Sequence, residues 1–173
     1  MVGTRRSWSI PARVALVLMV AVLLLPAPAG ATGPPLEGSG SGVFELPGPE
    51  DTERIRDAGA GGNWIEQRTL TGQVVSGPLD GELVQHVTGM VRQPANFVTF
   101  RGTATFTGTI EGCGDEVHTL TLRLTGRGQA NPPITDSQMH IVDQSSGDLH
   151  ITGQGTVSQT GANFTYDIRY VCH

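Results

Sequence analysis

The sequence predicts an all-β fold, a closed antiparallel β-barrel of about eight strands, with a β-sandwich as the runner-up. Three observations predict it. From Asn63 to the carboxyl end, apolar or very small residues alternate with polar ones at a period of two, the pattern of strands that bury one face. Turn signals punctuate that stretch at Gly77-Pro78, Gln93-Pro94, Asn131-Pro132-Pro133, Ser145-Ser146-Gly147 and Gly161. Gly72, Gly89, Gly102, Gly108, Gly153 and Gly155 all fall on the apolar phase, where glycine weakens an ordinary strand but suits the tight bends of a narrow barrel.

The first 31 residues read as an export signal to be removed. Arg5, Arg6 and Arg13 form a basic head, Val14 to Leu25 an apolar run, and Ala29-Gly30-Ala31 a small-residue cleavage site. The run falls short of the roughly 20 residues that span a bilayer as a helix. The Arg5-Arg6 pair leaves twin-arginine export open beside the general route. The expected destination is outside the cell, with no membrane attachment after cleavage.

Residues 32–62 are rich in glycine, proline and serine, and Gly38-Ser39-Gly40-Ser41-Gly42 reads as a flexible linker. Val43 to Leu46 is long enough for a short strand. Pro49 to Asp57 has a helix-start proline, early acids and Gly59 as a stop, so it reads equally as a short helix or as unordered chain.

Residues 63–173 are the predicted barrel domain. Its clearest strand runs from Val98 to Ile110, with Phe100, Gly102, Ala104, Phe106 and Gly108 on one face and Thr99, Arg101, Thr103, Thr105, Thr107 and Thr109 on the other. Leu120, Leu122 and Leu124 continue the logic after a glycine-flanked hairpin turn. Trp64 to Val75, Leu83 to Val91, Gln138 to Val142, Leu149 to Val157 and Phe164 to Cys172 bring the number to seven, or eight with Val43 to Leu46. No amphipathic helix interrupts them, and a meander this long avoids exposed edges most simply by closing.

Cys113 and Cys172 are the only cysteines. In an exported chain an even count reads as a disulfide, and two partners allow one connectivity. Cys172 shares the inward phase of Phe164, Tyr166, Ile168 and Tyr170, so a bridge would pin the last strand to the hairpin turn at Cys113.

Composition narrows the partners. The chain has a formal charge of −5, and losing three arginines and no acid with the signal takes it to −8. An acidic chain without a basic stripe is unsuited to nucleic acid. All 11 cationic side chains are arginine, a usage that suggests GC-rich coding and a bacterial source.

Candidate sites are sparse. The five histidines, His86, His118, His140, His150 and His173, include no His-x-His pair, so they suggest no metal site, and His118 and His150 are assigned to outer polar faces. His86 is expected outside unless a bulge turns it into the lumen. Glu66 and Arg68 share the phase of Trp64, Leu70 and Gly72 and should point inward near one rim. With Tyr166, these are the candidate ligand-contacting residues. No Gly-x-Ser-x-Gly elbow supports a nucleophile, and nothing points to a cofactor.

Three passages carry a family resemblance: Gly77-Pro78-Leu79-Asp80-Gly81, then Phe100-Arg101-Gly102-Thr103-Ala104-Thr105-Phe106-Thr107-Gly108, and Gly147-Asp148-Leu149 leading to Gly153-Gln154-Gly155-Thr156-Val157. Spanning roughly Leu70 to Tyr170, this rhythm resembles small bacterial proteins of unknown function related to the allene oxide cyclase barrel and to dirigent proteins. The resemblance implies an eight-stranded barrel, a lumen and a trimer, to which exposed threonine rows would lend a surface. The turn Gln144-Ser145-Ser146-Gly147 and the pair His150-Ile151 depart from that pattern, and no catalytic residue of those families matches a position here. The expected function is non-enzymatic, a barrel that binds a small apolar molecule or another subunit; the alternative is a cyclase- or dirigent-type enzyme that steers a reactive intermediate inside the barrel.

Overall fold

A computed structural model describes residues 33–45, 52–59, 61–144 and 149–173, with the backbone alone for residues 52–55. The export-signal reading lies outside the described residues.

Nine strands and no helix make up the described chain: β1 (Leu36–Phe44), β2 (Thr52–Asp57), β3 (Trp64–Ser76), β4 (Leu79–Arg92), β5 (Phe97–Ile110), β6 (His118–Gln129), β7 (Ile134–Gln144), β8 (Ile151–Thr160) and β9 (Asn163–Cys172). Strands β3 to β9 follow one another as an antiparallel meander, and β1 pairs with both β9 and β3. That double pairing closes an eight-stranded barrel, as the alternation of side chains predicts, and excludes the sandwich.

Closure depends on the segment whose composition reads as a linker. β1 runs against β9 from Leu36↔Tyr170 to Val43↔Asn163 and against β3 from Ser41↔Ser76 to Phe44↔Gly72. The glycine-serine alternation is itself a period-two strand pattern, with glycine on the inner face. A Cβ on Gly40 would fall 2.2 Å from the Ser76 carbonyl oxygen and 2.3 Å from the Tyr166 phenol. On Gly42 it would fall 2.1 Å from Phe164 Cζ. The large rings of β9 fill the space that Gly40 and Gly42 leave, so composition suggested flexibility where packing requires a strand with no side chain at these inner positions.

The helix-or-unordered reading of Pro49 to Asp57 is also corrected where the chain is described. Thr52–Asp57 is β2, paired with β3 from Thr52↔Arg68 to Asp57↔Trp64. β1 covers only the Gly72–Ser76 part of β3, and β2 takes up the ladder hydrogen bonds of the other part.

The inner wall follows the predicted phase. Ala104, Phe106, Ile110, Leu120, Leu122, Leu124, Met139, Ile151, Ile168 and Tyr170 are buried, while Thr103, Thr105 and Thr107 face out. Gly102 sits where a neighbouring strand approaches closely: a Cβ there would lie 2.0 Å from the His86 carbonyl oxygen. One half of the lumen is packed solid. Leu79, Phe106, Leu120, Leu122, Ile151 and Tyr170 are among the residues that leave a void of only about 10 Å³ there.

That closed end is latched from several sides. The Tyr166 hydroxyl donates to the Ser76 carbonyl at 3.1 Å and accepts the Leu79 N–H at 3.2 Å. Tyr170 donates to the Glu111 carbonyl at 2.7 Å. Cys113 and Cys172 form the expected disulfide, 59 residues apart in sequence. His118 is corrected: it is fully buried, with Nε2 3.3 Å from the Cys113 carbonyl oxygen. It has the same parity as Leu120, Leu122 and Leu124, and therefore belongs to the inner face. His150 is exposed, its ring 5.8 Å from that of His173.

Candidate functional site

The opposite end of the lumen is open. Its rim is built by the turn joining β4 to β5 and the turn joining β6 to β7. Asn96, with φ of +48°, adopts the left-handed backbone that asparagine tolerates. Its side-chain oxygen accepts the Asn131 N–H at 3.1 Å and its Nδ2 donates to the Asn131 carbonyl, so the two turns clasp one another. Gln93 N–H donates to Asn63 Oδ1 at 2.8 Å and ties the rim to the start of β3.

Below the rim lies a cavity of about 660 Å³. Trp64, Leu70, Val87, Val98 and Phe100 supply apolar wall, each on the inner phase of its strand. Phe44 contributes from β1 and stacks on Phe164 with ring centroids 4.5 Å apart. β3, β4 and β7 place Glu66, Arg68, Gln85, Gly89 and Thr135 on this part of the inner face, where the other end has leucines, isoleucines and aromatics.

Glu66 is buried in that wall, and both its oxygens are engaged. Oε2 accepts the Trp64 indole N–H at 2.9 Å, and Oε1 lies 2.7 Å from Arg68 Nε. The three side chains are successive inward positions of β3, which a strand brings to one face at a spacing of two residues. The Glu66 side chain is 6% exposed and that of Arg68 27%, so the arginine borders the open space. Burying the carboxylate is tolerable because a cation and a donor compensate it.

Gln85, on β4, is the feature that reading the sequence for charged residues passes over. It is buried, lines the cavity, and its side chain makes no hydrogen bond among the described residues. The pairings Leu70↔Gln85 and Arg68↔Val87 make Arg68 and Gln85 diagonal neighbours on the inner face. A signal for it existed: Gln85 interrupts the otherwise apolar phase of Leu83, Val87, Gly89 and Val91. Thr135 and Gln159 add polar atoms on the far wall.

Two of the four residues expected at a ligand site stand elsewhere. His86 lies on the outer face, its Nδ1 3.1 Å from Thr69 Oγ1, because β4 pairs with β3 and β5 without a register shift and no bulge turns it inward. Tyr166 faces inward but at the closed end, with its hydroxyl committed to Ser76 and Leu79. Burial raises the Tyr166 phenol above its ordinary pKa, and burial raises that of Tyr170 too. Among the described residues no three His, Cys, Asp or Glu side chains converge to hold a metal ion.

Fold and site together define the class: a closed eight-stranded antiparallel barrel with one extra strand, filled at one end and hollow at the other. Among solved structures, the chain is similar to the crystal structure of a protein of unknown function from the DUF3224 family of Shewanella oneidensis MR-1, with a TM-score of 0.62 over 81% of this chain and 98% of that one. At 10% sequence identity the likeness is one of fold. No family model matches the sequence, and no curated protein does.

Proposed function

We propose that this protein is an exported barrel that holds a small, mostly apolar molecule in the open half of its lumen without altering it. The cavity beneath the Asn96–Asn131 clasp carries the reading. Its volume falls within the roughly 300–1,000 Å³ of small-molecule pockets, and its lining sets apolar wall from Trp64, Leu70, Val87, Val98 and Phe100 beside a comparable share of polar side chains that can orient a ligand. The disulfide suits an oxidising compartment, which supports export.

A second reading draws on the inward Glu66 and Arg68. An ordered charged pair in a barrel lumen suits an enzyme of the cyclase or dirigent type, where confinement in one conformation supplies much of the rate. Against it, Glu66 has both oxygens occupied and is poorly placed to take a proton. Holding a ligand asks less of these residues than turning one over.

Mass spectrometry of small molecules that co-purify with the secreted protein tests the first reading without a prior guess at chemistry. The expected result is an apolar compound retained by the wild type and retained in smaller amount by Val87→Phe, which narrows the cavity. A protein that retains nothing and binds no apolar probe contradicts it. Recovery of the bound compound in altered form after incubation favours the enzyme.

A further inference from the structure

We propose that the group recognised inside the cavity is a neutral carbonyl, that of a ketone, lactone or amide, and that carboxylates are rejected. This rests on the reading of the cavity as a ligand site and names the chemistry at its polar wall.

Arg68 and Gln85 present the donors. Glu66 lies against Arg68 at Nε, and the two terminal nitrogens of the guanidinium make no hydrogen bond among the described residues. Gln85, a residue 94% buried and diagonal to Arg68, has a carboxamide that also makes no hydrogen bond there. Two neighbouring side chains with spare N–H groups, facing a cavity whose wall here includes Leu70 and Val87, match an acceptor oxygen on a ligand with an apolar body. A site with buried, unpaired polar groups discriminates strongly for a ligand that pairs them.

Charge then selects among acceptors. Among the described residues the lining holds one cation, Arg68, against two carboxylates, Glu66 and the exposed Glu45. Arg68 already balances Glu66, so a ligand carboxylate would bring an uncompensated negative charge into a partly enclosed space. A carbonyl oxygen accepts the same hydrogen bonds at no such cost.

The test displaces the neutral fluorophore N-phenyl-1-naphthylamine from the purified protein with three compounds of similar bicyclic body: camphor, a ketone; camphene, a hydrocarbon; and bornane-2-carboxylate. Camphor is expected to compete about tenfold more strongly than either of the others, the effect of a hydrogen bond to a charged donor. Gln85→Leu and Arg68→Lys should each narrow the camphor advantage over camphene, with circular dichroism confirming the strand content of both variants. Equal displacement by all three compounds, or a carboxylate that competes best, overturns the carbonyl assignment while leaving the cavity reading intact. A wild type that never takes up the fluorophore overturns the cavity reading itself.

Discussion

Trp64 donates its indole N–H to Glu66, two residues further along the same inner face of β3, and so fixes the carboxylate that Arg68 balances. The three side chains act as one unit. Trp64→Phe keeps an aromatic ring, though a smaller one, and removes the donor, and is expected to cost about 1.5–3 kcal/mol in denaturant unfolding, the range for a hydrogen bond to a charged group. A loss below about 0.5 kcal/mol would mean that Glu66 does not need this donor.

Arg68→Met should cost about 2–3 kcal/mol by leaving Glu66 buried and unbalanced; the 27% exposure of Arg68 places it below the 3–5 kcal/mol of a fully buried pair. Adding Glu66→Gln should recover most of the loss. A double-mutant cycle measures the recovery, and additive losses would show that the two side chains are energetically independent.

Closure by a strand with glycine at its middle inner positions makes its own prediction. Gly42→Ala would drive a methyl group into the Phe164 ring and should cost about 1–3 kcal/mol, whereas Val43→Ala, exposed on the outer face of the same strand, should change stability by no more than about 0.5 kcal/mol. Chemical denaturation of the two variants decides the matter. Equal small effects would mean that the glycine-serine segment is the loose linker its composition suggests.

That contrast marks what was legible in the sequence. Period-two alternation disclosed strands β3 to β9 and the inward phase of Phe106, Leu122 and Tyr166, because burial of one face writes itself directly into residue type. Beyond Val43 and Phe44, β1 escaped because its middle inner residues, Gly38, Gly40 and Gly42, are glycines, and Gly40 and Gly42 make room for Tyr166 and Phe164 more than a hundred residues away. Glu66 and Arg68 showed their inward phase, yet nothing in the sequence said that the lumen is hollow beside them and filled around Tyr166. His118 was misplaced despite its parity, since a polar residue at a strand start suggests exposure until the packing of the closed end is seen.

The two tyrosines, Tyr166 and Tyr170, are the only ones in the chain, which makes an alkaline titration clean. Burial raises both phenols above their ordinary value of 10.0. The folded state therefore holds these protons where the unfolded state has released them, so stability is intact below about pH 10 and falls as pH rises beyond it. Phenolate absorbance should lag that of free tyrosine and then appear together with unfolding. Ordinary titration of both rings in the folded protein would contradict the latching of the closed end.

Replacing Cys113 and Cys172 together by alanine should lower stability by about 2–5 kcal/mol while leaving the strand signal of circular dichroism unchanged in water. Loss of all strand signal would make the bridge a requirement for folding, not a fastening of the last strand.

The most direct measurement of a barrel hollow at one end and solid at the other is enlargement of a wall residue in each half, followed by unfolding in denaturant. Val87→Phe projects into the cavity and should change stability by less than about 1 kcal/mol, while Ala104→Leu, at a fully buried site, should cost about 1–3 kcal/mol. Equal, large losses at both positions would show that the lumen is filled throughout and would remove the site from which every functional proposal starts.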